Sequence, residues 1–116
     1  MIDVTPLEKS LGLTAFDVRA ELSTPEYCQL YLQAAIEQDD GDGFFILDAL
    51  RLIADVQGMT NTAAKAGLNR SALYKILDGK RGKRPSFAAI FRVIRALGFT
   101  LVPAPRTTLE TNHHSP

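Results

Sequence analysis

The 116-residue sequence is 46% hydrophobic and 22% charged, which suits one folded domain around one core. Its longest apolar-leaning stretch, Phe44 to Val56, is interrupted by Asp48, Arg51 and Asp55, so nothing approaches the roughly 20 apolar residues of a membrane-spanning helix. Net charge is zero but unevenly divided: residues 1–58 hold eleven acids against three bases, and residues 59–98 hold nine bases against one acid.

In chain order, MIDVTPLEKSLG lacks a basic start followed by an apolar run, so no secretory leader is expected and the expected location is the cytoplasm. Residues 1–23 show weak periodicity and read as an arm with little structure of its own. In TPEYCQLYLQAAIEQDD, Thr24 suits a helix N-cap, Pro25 its first turn, and Glu26 the positive end of its dipole. Tyr27, Leu30, Tyr31, Ala34 and Ala35 follow one buried helical face. Cys28 sits at helical spacing beside them and reads as a small helix residue, not a nucleophile. As the single cysteine it cannot form an internal disulfide. The break GDG, 41–43, precedes a helix from Phe44 to Gln57, with Ile46, Ala49, Leu50, Ile53 and Ala54 inward and Gly58 as its stop.

Beyond Met59 the elements are short. Thr60 is the expected cap of a two-turn helix over NTAAKA, in which Ala63 is small enough for close helix crossing. Gly67 turns the chain, Leu68 plugs the turn, and Asn69 caps RSALYKILD, which stops at Gly79. After the basic loop GKRGKRP, Ser86 caps FAAIFRVIRAL, whose expected core face is Phe87, Ile90, Phe91, Ile94 and Leu97, and Gly98 ends it. FTLV, 99–102, is a candidate short strand. Residues 103–116 have two early prolines and few apolar residues, which predicts a disordered tail. His113 and His114 lie in it and read as incidental; no Cys/His set has metal spacing, so neither metal nor cofactor is expected.

Two short helices joined by a turn containing glycine describe a helix-turn-helix, whose second helix enters the DNA major groove. Here Leu73, Ile76 and Leu77 face inward, while Arg70, Ser71, Tyr74, Lys75 and Asp78 form an outward stripe. Arg70 is placed to make paired hydrogen bonds to guanine, and Ser71 to meet a base edge or phosphate. Tyr74 and Lys75 would reach a phosphate or a thymine methyl, and Asn69 would combine capping with a backbone contact. Lys80, Arg81, Lys83 and Arg84 would neutralise phosphates and position the protein without discriminating sequence. There is no Walker-type phosphate loop, and Asp39, Asp40 and Asp42 lack the later bidentate glutamate of an EF-hand, so an enzyme is not expected.

Four stretches then acquire a shared meaning: LTAFDVRAEL, TPEYCQLYLQAAIEQDD, GMTNTAAKAGLNRSALYKIL and PSFAAIFRVIRALGFTL. From about Leu13 to Val102 the sequence resembles the helix-turn-helix antidote proteins of the HigA-like type, the probable addiction module antidotes of bacterial toxin-antitoxin systems. The resemblance implies an all-α, lambda-repressor-like (Xre/Cro-type) bundle of about five helices over residues 24–102. It also implies a DNA-binding antitoxin that neutralises a small basic toxin of RelE/ParE type and represses its own operon. A basic toxin would give the acidic first half a partner, and operator DNA would give the basic half another. The family's DNA-reading positions carry over to Asn69, Arg70, Ser71, Tyr74 and Lys75. Two departures stand out. The family commonly has Ser, Arg and Glu where this chain has Asn69, Arg70 and Ser71, and the loop GKRGKRPS is longer and more basic than the usual short turn. A twofold operator predicts a homodimer, with the last helix and FTLV as the contact, and nucleoid association when DNA is bound. The rival readings are a stand-alone transcriptional repressor without a toxin partner and, third, a pure protein-interaction module.

Overall fold

The structure, a computed structural model, describes residues 19–78 and 84–105. The arm up to residue 18, Gly79 and the loop residues Lys80, Arg81 and Lys83, and the tail from residue 106 with His113 and His114 lie outside the described residues. Five helices follow a helical stretch at 19–21: α1 (Pro25–Gln38), α2 (Phe44–Gln57), α3 (Met59–Lys65), α4 (Arg70–Leu77) and α5 (Phe87–Ala96). Among the described residues there is no strand, and the bundle is all-helical, compatible with a helix-turn-helix architecture.

The helix starts are set by side chains that satisfy the otherwise unpaired first-turn N–H groups. Thr24 Oγ1 accepts from the Tyr27 amide at 3.3 Å, Asn69 Oδ1 from that of Ala72 at 2.7 Å, and Ser86 Oγ from that of Ala89 at 3.1 Å. Thr60 does not cap α3. The junction between α2 and α3 is a single residue, Gly58, at φ +112, whose N–H closes α2 on the Ala54 carbonyl while its own carbonyl accepts from Thr62. That placement makes Met59 the first residue of α3 and buries it.

Two ends share one device. After α3, Gly67 (φ +74) donates to the Ala64 carbonyl and Leu68 to that of Ala63; after α5, Gly98 (φ +98) donates to Arg95 and Phe99 to Ile94. Both are Schellman closures, in which a glycine takes the left-handed position and the next residue is an apolar plug. This explains why FTLV is not a strand: Phe99 is spent closing α5 and packing on the core, and no segment among the described residues pairs with the remainder.

The core combines Leu22, α1, α2, α3, α4 and the second half of α5. Helix α2 packs on α1, α3 and α4, and accordingly buries more than one stripe: Leu47, Ala49, Leu50, Leu52, Ile53 and Ala54. Ile46 is only half-buried. In α1 the buried face is Cys28, Tyr31, Leu32 and Ala35, one step round from expectation, and Leu30 is 62% exposed. Apolar residues occupy both sides of this helix, so periodicity alone could not choose between them; packing on α2 does. In α5 the buried set is Val93, Ile94 and Ala96, with Leu97 behind them, while Phe87 is 70% exposed. The first turn of α5 extends beyond the core, which removes Phe87 from it. Leu22 is fully buried, and Arg19 pairs with Asp55 at 2.7 Å, so the last residues before Ser23 take part in the bundle.

Candidate nucleic-acid interface

Helix α4 is held from three directions. Leu73 and Leu77 are buried in the core, Asn69 caps the first turn, and the Gly67–Leu68 closure fixes the approach from α3. Met59, Thr62 and Ala63 are the buried residues of α3, and the small Ala63 lets the two helices meet closely. What remains outward on α4 is polar. Asn69, Arg70, Ser71 and Lys75 are exposed on one end and side of the helix. Tyr74 is half-buried, its ring packed against the core. Arg70 Nη2 donates to Tyr74 Oη at 3.4 Å, and its guanidinium carbon lies 5.6 Å from the centre of the Tyr74 ring. That hydrogen bond raises the Arg70 pKa further, leaving a permanently charged fork lying along one turn of the helix. The five residues expected to read DNA are therefore together, with Tyr74 serving as a platform for Arg70.

Arg84 has a different setting. Its guanidinium carbon lies 4.6 Å from the centre of the Phe44 ring, and it donates to the Asp42 carbonyl. The start of α2 thus engages this arginine, which the sequence grouped with Lys80, Arg81 and Lys83.

The acidic loop before α2 is explained by local chemistry. The Asp39 carboxylate accepts from the amides of Gly41 (2.8 Å), Gly43 (3.0 Å) and Phe45 (3.1 Å), and Asp42 accepts from Phe44 at 3.0 Å. These bonds shape the turn and satisfy the first N–H groups of α2, whose positive end favours carboxylates. Asp39, Asp40 and Asp42 bring ligand oxygens within 4.8 Å of one another, but the bonding of Asp39 and Asp42 is that of a helix-capping loop.

Three cations absent from the expected interface also come together. Lys65, Arg92 and Arg95 line an open hollow of about 300 Å³ between α3 and α5, together with Ala66 and Ala96. Only the basic balance of residues 59–98 hinted at them, since Lys65 and Arg92 are joined by tertiary packing and share no local period.

Against this geometry, known sequences give a direct result. Residues 12–105 match the family described as "Probable addiction module antidote protein". The chain belongs to that family. A protein of Haemophilus influenzae (strain ATCC 51907 / DSM 11121 / KW20 / Rd), described as uncharacterized, is 39% identical over 85 residues, which cover 73% of this chain and 84% of the relative. No solved structure matches the chain. An addiction module antidote counters a toxin, so family membership assigns this antidote an antitoxin role and implies a toxin as its partner. No helix among the described residues of the antidote is long and apolar enough to cross a membrane.

Proposed function

We propose that this antidote is a DNA-binding antitoxin of the HigA-like kind in a type II module. It neutralises a small basic RelE/ParE-like toxin and, as a cytoplasmic homodimer that joins the nucleoid on binding, represses its own operon. The observation that carries the DNA-binding part is the build of α4: a capped, core-anchored short helix whose free surface is Asn69, Arg70, Ser71 and Lys75. Arginine at the start of such a helix offers two parallel donors to guanine O6 and N7, the commonest specific base contact. Ser71 meets a base edge or phosphate, Lys75 and Tyr74 lie one turn on, and Asn69 adds a backbone contact. Lys80, Arg81, Lys83 and Arg84 supply counterion release, with Arg84 first having to leave its contact with Phe44.

Dimerisation is supported by the exposed apolar surface around α5. Phe87 stacks on Phe91 with ring centres 5.9 Å apart, and Val102 beyond the helix is 75% exposed. The test uses the full chain and the duplex upstream of its own gene, titrated against a random duplex at several salt concentrations. Preference for the upstream duplex supports the proposal; equal binding to both at every salt concentration overturns specific recognition. A stand-alone repressor would pass this test but would find no toxin encoded beside its gene.

A further inference from the structure

We infer that the outward face of α1 is the docking surface for the toxin, a proposal that rests on the antitoxin reading above. Helix α1 joins the bundle through its packing on α2, and with Cys28, Tyr31, Leu32 and Ala35 buried there, the opposite side is exposed. Along that side run Glu26, Leu30, Gln33 and Glu37, all exposed, with Ile36 at its edge 48% exposed. They follow the i, i+4, i+7, i+11 spacing of a single stripe and span about 16 Å at the helical rise. An exposed leucine between two carboxylates on an ordered helix is an apolar anchor with a charged rim, the arrangement of a protein-binding face.

Charge chooses the occupant. From residue 20 to residue 50 there are seven acids and no lysine or arginine. DNA is excluded by repulsion. A second copy meeting this face about a twofold axis would set acidic stripe against acidic stripe, which like-charge repulsion opposes. A small basic protein fits. Helix electrostatics point the same way: Glu37 occupies the last turn of α1, where the dipole favours a cation, and no basic residue is there. Asp39 has a structural task in capping α2, whereas among the described residues Glu37 accepts from Gln33, at 3.3 Å, within the stripe itself. A carboxylate set against the helix dipole, its bond to Gln33 made within its own helix, suits a site completed by a partner's cation.

The substitutions Leu30→Ser and Glu37→Lys separate docking from folding, because Leu30 is exposed and a lysine at 37 suits the helix end better than the native residue. The full-length variants are compared with the native chain for affinity toward the product of the adjacent gene, affinity for the upstream duplex, melting temperature and sedimentation. The expected result is a loss of toxin affinity of about tenfold or more for each variant, with DNA affinity unchanged and the Glu37→Lys melting temperature equal or higher. Carbodiimide cross-linking of the native complex, which joins carboxylates to lysines in contact, is expected to capture Glu26 or Glu37. Toxin affinities within twofold of native, with cross-links elsewhere, would overturn the docking surface and leave the antitoxin reading intact. A native chain that fails to bind the adjacent gene product would sink both. Variants that instead change the mass of the free protein would assign the face to self-association and overturn the proposal.

Discussion

In the proposed DNA-binding reading, Tyr74 links folding to recognition. Its ring is partly taken into the core and its hydroxyl accepts from Arg70, so the arginine is laid out along α4 instead of sampling every rotamer. Removing the hydroxyl should loosen Arg70 while leaving the ring beneath it in place. Tyr74→Phe is expected to weaken preference for the upstream duplex over a random one more than it lowers stability, whereas Arg70→Ala should lose about ten- to a hundredfold on the specific duplex and little on the random one. Equal losses on both duplexes for Arg70→Ala, read by fluorescence anisotropy, would place base reading elsewhere. Cys28 supplies a second residue-scale prediction. Its thiol is buried, donates to the Leu22 carbonyl at 3.2 Å, and is pushed up in pKa chiefly by that burial. At pH 8 it should react with a thiol-specific reagent at least about a hundredfold more slowly than a free cysteine and become reactive on unfolding. Fast modification of the folded chain would show that the Leu22 segment opens readily.

At the scale of elements, stability around α4 is concentrated in its two ends and its anchor. Asn69→Ala removes a 2.7 Å cap and should cost about 1 kcal/mol, and Gly67→Ala, which places a side chain at φ +74, should cost about 1 kcal/mol or more. Leu73 has no exposed surface, so Leu73→Ala should cost about 2–5 kcal/mol and abolish DNA binding by unfolding the unit. Denaturant midpoints check all three; a Leu73→Ala variant of native stability would contradict the packing of α4. The caps at Thr24, Asn69 and Ser86 were legible in the sequence because each is a short-range relation between one side chain and an amide three residues away. Tyr74 and Asp78, expected in the outward stripe of α4, are half-buried, Tyr74 with its ring packed on the core, but the exposure of Arg70, Ser71 and Lys75 in that stripe was legible too. The buried faces of α1 and α5 were not. Apolar residues line both sides of α1, and Phe87 sits beyond the reach of the core, so only the position of neighbouring helices decides which are covered. FTLV was a candidate strand only, and Phe99 could not be told from a strand residue because its role, closing α5 on the Ile94 carbonyl, uses the same apolar character a strand would. The grouping of Lys65, Arg92 and Arg95, and the engagement of Arg84 by Phe44, are tertiary facts with no local signature.

At the scale of the whole molecule, the proposed antitoxin holds toxin and DNA on separate surfaces, and charge segregation along the chain suits that division. The base-free segment from residue 20 to residue 50 contains α1, whereas α4 and α5 carry exposed cations. In the proposed homodimer, the exposed apolar surface near Phe87 and Val102 meets a second copy. Phe87→Asp should therefore yield a monomer in sedimentation and weaken operator binding by more than any single phosphate-contact substitution, because both half-sites must be filled together. A Phe87→Asp protein with native mass and native DNA affinity would move the dimer contact off α5.

The most direct test of the antitoxin reading is co-expression of the full chain with the protein encoded beside its gene. Growth arrest caused by that protein alone should be relieved when the chain is present, and the two should copurify as a complex. Persistent arrest in cells that accumulate folded antidote, with no complex recovered, would contradict it.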